Sequence, residues 1–152
     1  MPGYSGTPLP KKLGLKPGHR LLLLHAPATI TTTLGEIPEG ITIHRRMGKG
    51  PYDVIVAFCP NLASFASSLP KCAAVLDQAG GLWIAWRKLS SGLQTDLRES
   101  TVRDLSLKTG LVDNKVCALD ETWSGLRLVV RLKDRTRPPG ESRTAPTRDA
   151  PR

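Results

Sequence analysis

The stretch His19-Arg20-Leu21-Leu22-Leu23-Leu24-His25-Ala26-Pro27 constrains this chain more than any other. Its four leucines, entered from Lys16-Pro17-Gly18, are too few for a helix and too uniformly apolar for a strand with one wet face. A strand covered by helices on both sides has this pattern, so the run predicts the centre of an open, mostly parallel α/β sheet. In nucleotide-binding sheets of that kind, glycines in the turn after the first strand let the backbone approach a phosphate or ribose. Ala26 to Leu34 contains no glycine. The scaffold is legible and its usual cofactor signature is missing.

The rest of the chain supplies the other strands and helices of such a sheet. Thr7-Pro8-Leu9-Pro10-Lys11-Lys12-Leu13-Gly14 has a helix start at Thr7, a proline at the first helical position and a glycine stop. It predicts one short helical turn lying on the first strand through Leu9 and Leu13. Thr29 to Leu34 predicts a weak helix with Ile30 and Leu34 on one face. Ile41 to Arg45 alternates like an edge strand, and Pro51 to Pro60 encloses a second buried strand. Asn61 caps an amphipathic helix through Leu62, Phe65, Ala66, Leu69, Ala73 and Leu76, in which Pro70 predicts a kink or a break. Gly80-Gly81 then ends that helix before a strand from Leu82 to Trp86.

Asp96 and Glu99 resemble a capping pair for a helix that ends at Gly110, with Leu97, Val102 and Leu105 as its apolar face. Two strands follow, Lys115 to Trp123 and Leu126 to Leu132, joined by Ser124-Gly125 as a hairpin turn. On the second of them Leu126, Leu128, Val130 and Leu132 should face one side, and Arg127 and Arg131 the other. The fold class is therefore α/β: a small Rossmann-like three-layer sandwich whose mostly parallel sheet ends in an antiparallel hairpin. One connection is tight, because about seven residues join the Ile41 and Val54 strands where parallel crossovers usually take a dozen or more. The parallel arrangement is adopted here, with an antiparallel edge strand as its alternative. Residues 1–133 are read as the folded domain, and 134–152, rich in proline and arginine, as a disordered basic tail.

Composition narrows the function. The 22 lysines and arginines against 13 aspartates and glutamates give a formal charge of +9, of which Lys133 to Arg152 hold +3. That balance favours anionic partners. The excess is spread along the chain without interleaved aromatics or a recognised DNA- or RNA-binding motif, which argues against nucleic acid. No apolar run approaches the roughly 20 residues a membrane helix requires, so a cytoplasmic protein without a membrane partner is expected. Cys59, Cys72 and Cys117 are widely spaced and odd in number, as reduced core residues are.

Open α/β sheets bind ligands beyond the carboxyl ends of their strands, which brings His25, Ala26, Pro27, Cys59, Pro60 and the loop from Arg87 to Asp96 around one crevice. From it we take His25, Pro27, Cys59, Lys88, Ser91, Thr95 and Asp96 as candidate ligand-binding residues. His25 suits a general base or an anion contact, and Lys88 with Ser90, Ser91 and Thr95 suits an anion clamp. A hydrogen-bonded histidine and a solvated loop are the plainer alternatives. Arg45-Arg46 invites comparison with arginines that take a 2′-phosphate, a poor one without the glycine turn. Asp120 and Glu121, adjacent on a predicted strand, point to opposite faces and so cannot act as a carboxylate pair. Neither a nucleophile triad, a phosphate loop nor a metal-binding pattern is present, so no catalytic residue, metal or cofactor is expected. The reading is a noncatalytic binding module for a small anionic ligand or a protein partner.

Several linked motifs carry a resemblance: Tyr4-Ser5-Gly6-Thr7-Pro8-Leu9, Lys11-Lys12-Leu13-Gly14, Lys16-Pro17-Gly18, Gly80-Gly81-Leu82-Trp83, Thr95-Asp96-Leu97, and Asp113-Asn114-Lys115-Val116-Cys117-Ala118 to Trp123-Ser124-Gly125-Leu126-Arg127. In this order, over about Tyr4 to Leu132, they resemble a bacterial family known as domain of unknown function 3052. That resemblance carries no activity, ligand or catalytic residue across. A looser one, through Lys16-Pro17-Gly18, Tyr52-Asp53-Val54, Gly80-Gly81-Leu82-Trp83 and the terminal hairpin, is to class I S-adenosylmethionine-dependent methyltransferases. It implies a glycine-rich turn after the first strand and an acidic residue after the second. Here Ala26-Pro27-Ala28 and Arg45-Arg46 stand in those places. Methyl transfer is therefore the alternative function, and nucleic-acid binding through the basic surface a second alternative.

Overall fold

Leu21, Leu22 and Leu23 are at most 1% exposed, so the leucine run is covered on both faces as its composition requires. The computed structural model describes residues 7–88, 92 and 95–136. Its elements are α1 (Leu9–Leu13), β1 (Arg20–Leu24), α2 (Ile30–Leu34), β2 (Thr42–His44), β3 (Tyr52–Phe58), α3 (Leu62–Ala74), β4 (Leu76–Arg87), α4 (Glu99–Leu107), β5 (Leu111–Ala118) and β6 (Trp123–Val130), followed by one 3₁₀ turn at Leu132–Asp134. The strands form one sheet in the order β2-β1-β3-β4-β6-β5. β2, β1, β3 and β4 run parallel, and β6 and β5 are antiparallel additions. Among the described residues no helix is long and apolar enough to cross a membrane.

The tight connection into β3 is resolved by the shortness of β2. His44 lies level with Leu22, and Val54 level with Leu21. The chain must return only about 10 Å along the sheet and about 10 Å across it, within the roughly 24 Å that seven extended residues span. Two apolar layers flank the sheet. One packs Phe65, Leu69 and Cys72 of α3 and Val102 of α4 onto Ile55, Leu82, Ile84 and Leu126. The other packs Leu9 and Leu13 of α1 and Ile30 and Leu34 of α2 onto Leu21, Leu23, Val54, Val56 and Trp83.

Four expectations are corrected. Pro70 does not break its helix, because α3 runs unbroken through it from Leu62 to Ala74. Gly80-Gly81 does not end that helix either: β4 begins at Leu76 and the glycines lie inside it. Gly80 has no room for a side chain, since an added Cβ would stand 2.6 Å from the Asp53 carbonyl oxygen of the neighbouring strand. Nor is Ser124-Gly125 the hairpin turn. The turn is Leu119 to Thr122, where the Asp120 Oδ1 accepts from the Thr122 and Trp123 amides at 2.8 Å each. Gly125 sits within β6 because a Cβ there would meet Trp83 Cε3 at 2.9 Å. Finally, Leu132 does not extend the apolar face of β6; it lies in the 3₁₀ turn, 74% exposed.

Residues 134–136 of the segment read as tail lie against the sheet. Arg135 Nε donates to the Val130 carbonyl at 3.0 Å, and the Thr136 amide donates to Gln78 Oε1 at 2.7 Å. Residues 137–152 lie outside the described residues.

Candidate functional site

The carboxyl ends of β1, β3 and β4 open onto a cleft of about 350 Å³ lined by His25, Pro27, Pro60, Ser64, Arg87 and Trp123. This is where open α/β sheets place ligands, beside the point at which the strand order reverses around β1. His25 ends β1 with φ 57°, a left-handed conformation that suits glycine and costs other residues of order 1 kcal/mol or more. The backbone at this turn is thus bent as a glycine would allow, while the residue is a histidine that lines the cleft. Pro27 continues the turn towards α2.

Arg87, the last residue of β4, is the only arginine or lysine in the lining among the described residues. Its guanidinium carbon lies 5.5 Å from the centroid of the Trp123 ring, a cation–π arrangement. Trp123 in turn packs edge-to-face on Phe58, with ring centroids 5.1 Å apart. Arg87 Nε is buried and, among the described residues, finds no hydrogen-bond partner. A buried donor left unmade costs about 1–3 kcal/mol. Ser64 is tied into the start of α3: its amide donates to Asn61 Oδ1 at 2.8 Å and its hydroxyl to the Asn61 carbonyl at 2.9 Å.

Of the residues chosen from sequence, the cleft brings together His25 and Pro27. Cys59 is fully buried, its thiol donating to the Ala57 carbonyl at 3.5 Å, and burial pushes its pKa up to about 12. It belongs to the core beneath α3 and does not line the cleft. Thr95 and Asp96 hold the loop against α3 instead. Thr95 Oγ1 donates to the Pro60 carbonyl at 2.9 Å, and Asp96 Oδ1 accepts from the Leu62 amide at 2.6 Å. Asp96 therefore serves the amino end of α3 and not, as its spacing to Glu99 predicts, the amino end of α4, whose N-cap is Arg98 without a side-chain cap bond. The Lys88 amide donates to the Thr122 carbonyl at 2.8 Å, and Lys88 is absent from the cleft lining. Ser91 lies outside the described residues.

Sequence reasoning missed Ser64 and Trp123 as lining residues. No local signal marks either: Trp123 reaches the cleft only because β6 is inserted next to β4, placing it opposite Arg87. Among the described residues no group of three or more histidines, cysteines or carboxylates could hold a metal ion.

Three solved structures share this architecture. TrmN from Thermus thermophilus superimposes with a TM-score of 0.54 at 14% identity, over 81% of this chain and 47% of that one. The chain thus spans about half the length of TrmN. Aeropyrum pernix fibrillarin, in complex with natively bound S-adenosyl-L-methionine, gives 0.53 at 16% identity over 80% and 73%. The ribosomal protein L11 methylase of Lactobacillus delbrueckii subsp. bulgaricus gives 0.52 at 12% over 81% and 75%. The fold is methyltransferase-like. The looser of the two sequence resemblances is supported at that level. No family model matches the chain, so the bacterial family likeness has no such support. No curated protein matches it either.

S-adenosylmethionine fits the lining only in part. Arg87 suits its carboxylate, but none of the six lining residues is an aspartate or glutamate that would take its ammonium or ribose hydroxyls. At the end of β2, His44 Nδ1 is engaged with the Tyr52 hydroxyl at 2.6 Å, and Arg45 with Thr31 Oγ1 at 3.2 Å. No methyl-transfer step follows from these residues.

Proposed function

We propose that the cleft binds a small ligand carrying an anionic group, and that the protein is a binding module built on a methyltransferase-like fold. The observation that carries this reading is Arg87, stacked on Trp123 with a buried donor unpartnered among the described residues. A carboxylate or phosphate seated there accepts a charge-assisted hydrogen bond in a partly dry site, the strong kind of polar contact. His25 and Ser64 add polar groups to the rim, and Pro27, Pro60 and Trp123 supply apolar walls.

S-adenosylmethionine-dependent methyl transfer is the second reading, and the solved structures favour it over binding alone. One neighbour holds S-adenosyl-L-methionine and another is a methylase. The lining supports it less, for want of carboxylates.

Titration calorimetry with S-adenosylmethionine, S-adenosylhomocysteine, adenine nucleotides and pyrophosphate tests both. Saturable binding of one anionic ligand should weaken about tenfold or more in Arg87→Gln, as expected for a lost charged hydrogen bond. Silence from every ligand sinks the anion reading. Saturable S-adenosylmethionine binding accompanied by a methylated acceptor replaces it with the second.

A further inference from the structure

Arg127 stands on β6 directly opposite Trp83, on the face of the sheet covered by α1 and α2. Its guanidinium lies over Gly81 of β4. A Cβ at Gly81 would be 2.4 Å from Arg127 Nε and 2.7 Å from Cζ. The second glycine of Gly80-Gly81 thus makes a seat for an arginine. A half-buried arginine normally meets a carboxylate. Among the described residues the Arg127 side chain makes no hydrogen bond or ion pair.

Two cations stand near it. Lys115 is its direct cross-strand partner in β5, a placement in which like charges destabilise a sheet. Arg135, anchored to the Val130 carbonyl, is close enough to act with burial in pulling the Arg127 pKa down. Arg131, between them in sequence, also buries an Nε without a partner. A fold that seats a desolvated guanidinium on a glycine and sets further cations beside it carries a standing electrostatic cost, which an oxyanion would remove.

We propose that Arg127, Arg135 and Lys115 form a phosphate-binding site on this face, separate from the cleft. Arg127 lies four residues along β6 from Trp123, about 13 Å away. The phosphate belongs either to a free phosphorylated metabolite or to a nucleic-acid backbone, which share this chemistry. The inference does not depend on the cleft.

The test titrates the full chain with pyrophosphate by calorimetry and with a short labelled RNA by fluorescence anisotropy over a range of salt. Pyrophosphate should bind saturably, and Arg127→Gln should weaken it about tenfold or more. Without anion, Arg127→Gln should melt roughly 2–4 °C higher than the parent, because it removes a repelled and desolvated charge. RNA binding whose salt slope falls by about one in Arg127→Gln assigns the phosphate to nucleic acid. Pyrophosphate binding without RNA binding assigns it to a metabolite. The proposal is overturned if neither probe binds saturably, if Arg127→Gln binds as the parent does, or if Arg87→Gln alone abolishes binding. Should Arg127→Gln melt lower than the parent, Lys115→Gln at an exposed position decides: weakened binding supports the site, unchanged binding removes it.

Discussion

On one face of the sheet α3 and α4, 13 and 9 residues long, present Phe65, Leu69, Cys72 and Val102 to the strands, whereas on the other α1 and α2 have five residues each. A five-residue helix offers about one apolar stripe of two side chains, here Leu9 with Leu13 and Ile30 with Leu34. The volume it cannot fill is taken by large residues from the sheet itself. Trp83 is fully buried there, with Nε1 donating to the Leu13 carbonyl at 3.3 Å, and Leu119 and Trp123 close the layer from the hairpin. The thin layer also admits charge. Lys12 is 6% exposed with Nζ on the Ala118 carbonyl at 2.9 Å, and Arg127 lies over Gly81. Helix length on each face therefore decides whether the sheet is covered by aliphatic packing or by aromatic and cationic side chains of its own.

The sharpest way to break this comparison is Trp83→Ala. It should cost about 3–5 kcal/mol, against about 2–5 kcal/mol for Leu69→Ala under the longer helix, both read from urea unfolding. A Trp83 loss well below that of Leu69 would mean the thin layer does not depend on the indole.

The faces should also differ in alkali. Burial pushes Cys59 and Cys72, both on the α3 side, up to about 12 from 9.0. A thiol with a raised folded-state pKa contributes stability that is whole below pH 9.0 and lost as pH rises towards about 12. The loss is at most about 1.4 kcal/mol per pH unit for each thiol. Lys12, on the thin side, acts with the opposite sign: burial lowers its pKa from 10.5, so its cost to the fold is relieved as pH rises through the lowered value. The thiols dominate because their shifts are the larger. Urea midpoints should fall between about pH 8 and about pH 11, and Cys72→Ala should flatten the fall. A midpoint constant over that range would remove the thiol argument.

The smallest effect tests how the thick layer is anchored. Asp96→Ala removes the acceptor for the Leu62 amide and should cost about 1 kcal/mol, with Asp96→Asn recovering most of it. If Asp96→Ala instead leaves α3 unaffected and destabilises α4, by amide exchange, the cap belongs to the helix that spacing alone indicates.

Much of the scaffold could be read from short windows. The leucine run, the buried strand before Pro60, the Asn61 cap and the glycine stop of α1 all act over a few residues, and all appear in the fold. The cleft was legible at the strand ends, where His25, Pro27, Pro60 and Arg87 stand, because the end of a buried strand in an open sheet is a ligand position whatever the residue. Cys59 lies outside the cleft lining because its side chain is buried in the core packed under α3. Asp96 carried a genuine cap signal, but the nearer unsatisfied amide belonged to α3, brought in by packing across 34 residues of sequence.

By itself, then, the amino-acid order determined the succession of helices and strands among the described residues, and that the turn after β1 lacks glycine. Tertiary structure decided what the punctuation means. Gly81 became the seat of Arg127 and Gly125 the space for Trp83, because a glycine's missing side chain is a signal whose recipient lies on another strand. The same holds for the cleft. Arg87 and Trp123 are 36 positions apart and meet only through the antiparallel register of β4 and β6, a pairing that depends on the whole sheet having formed.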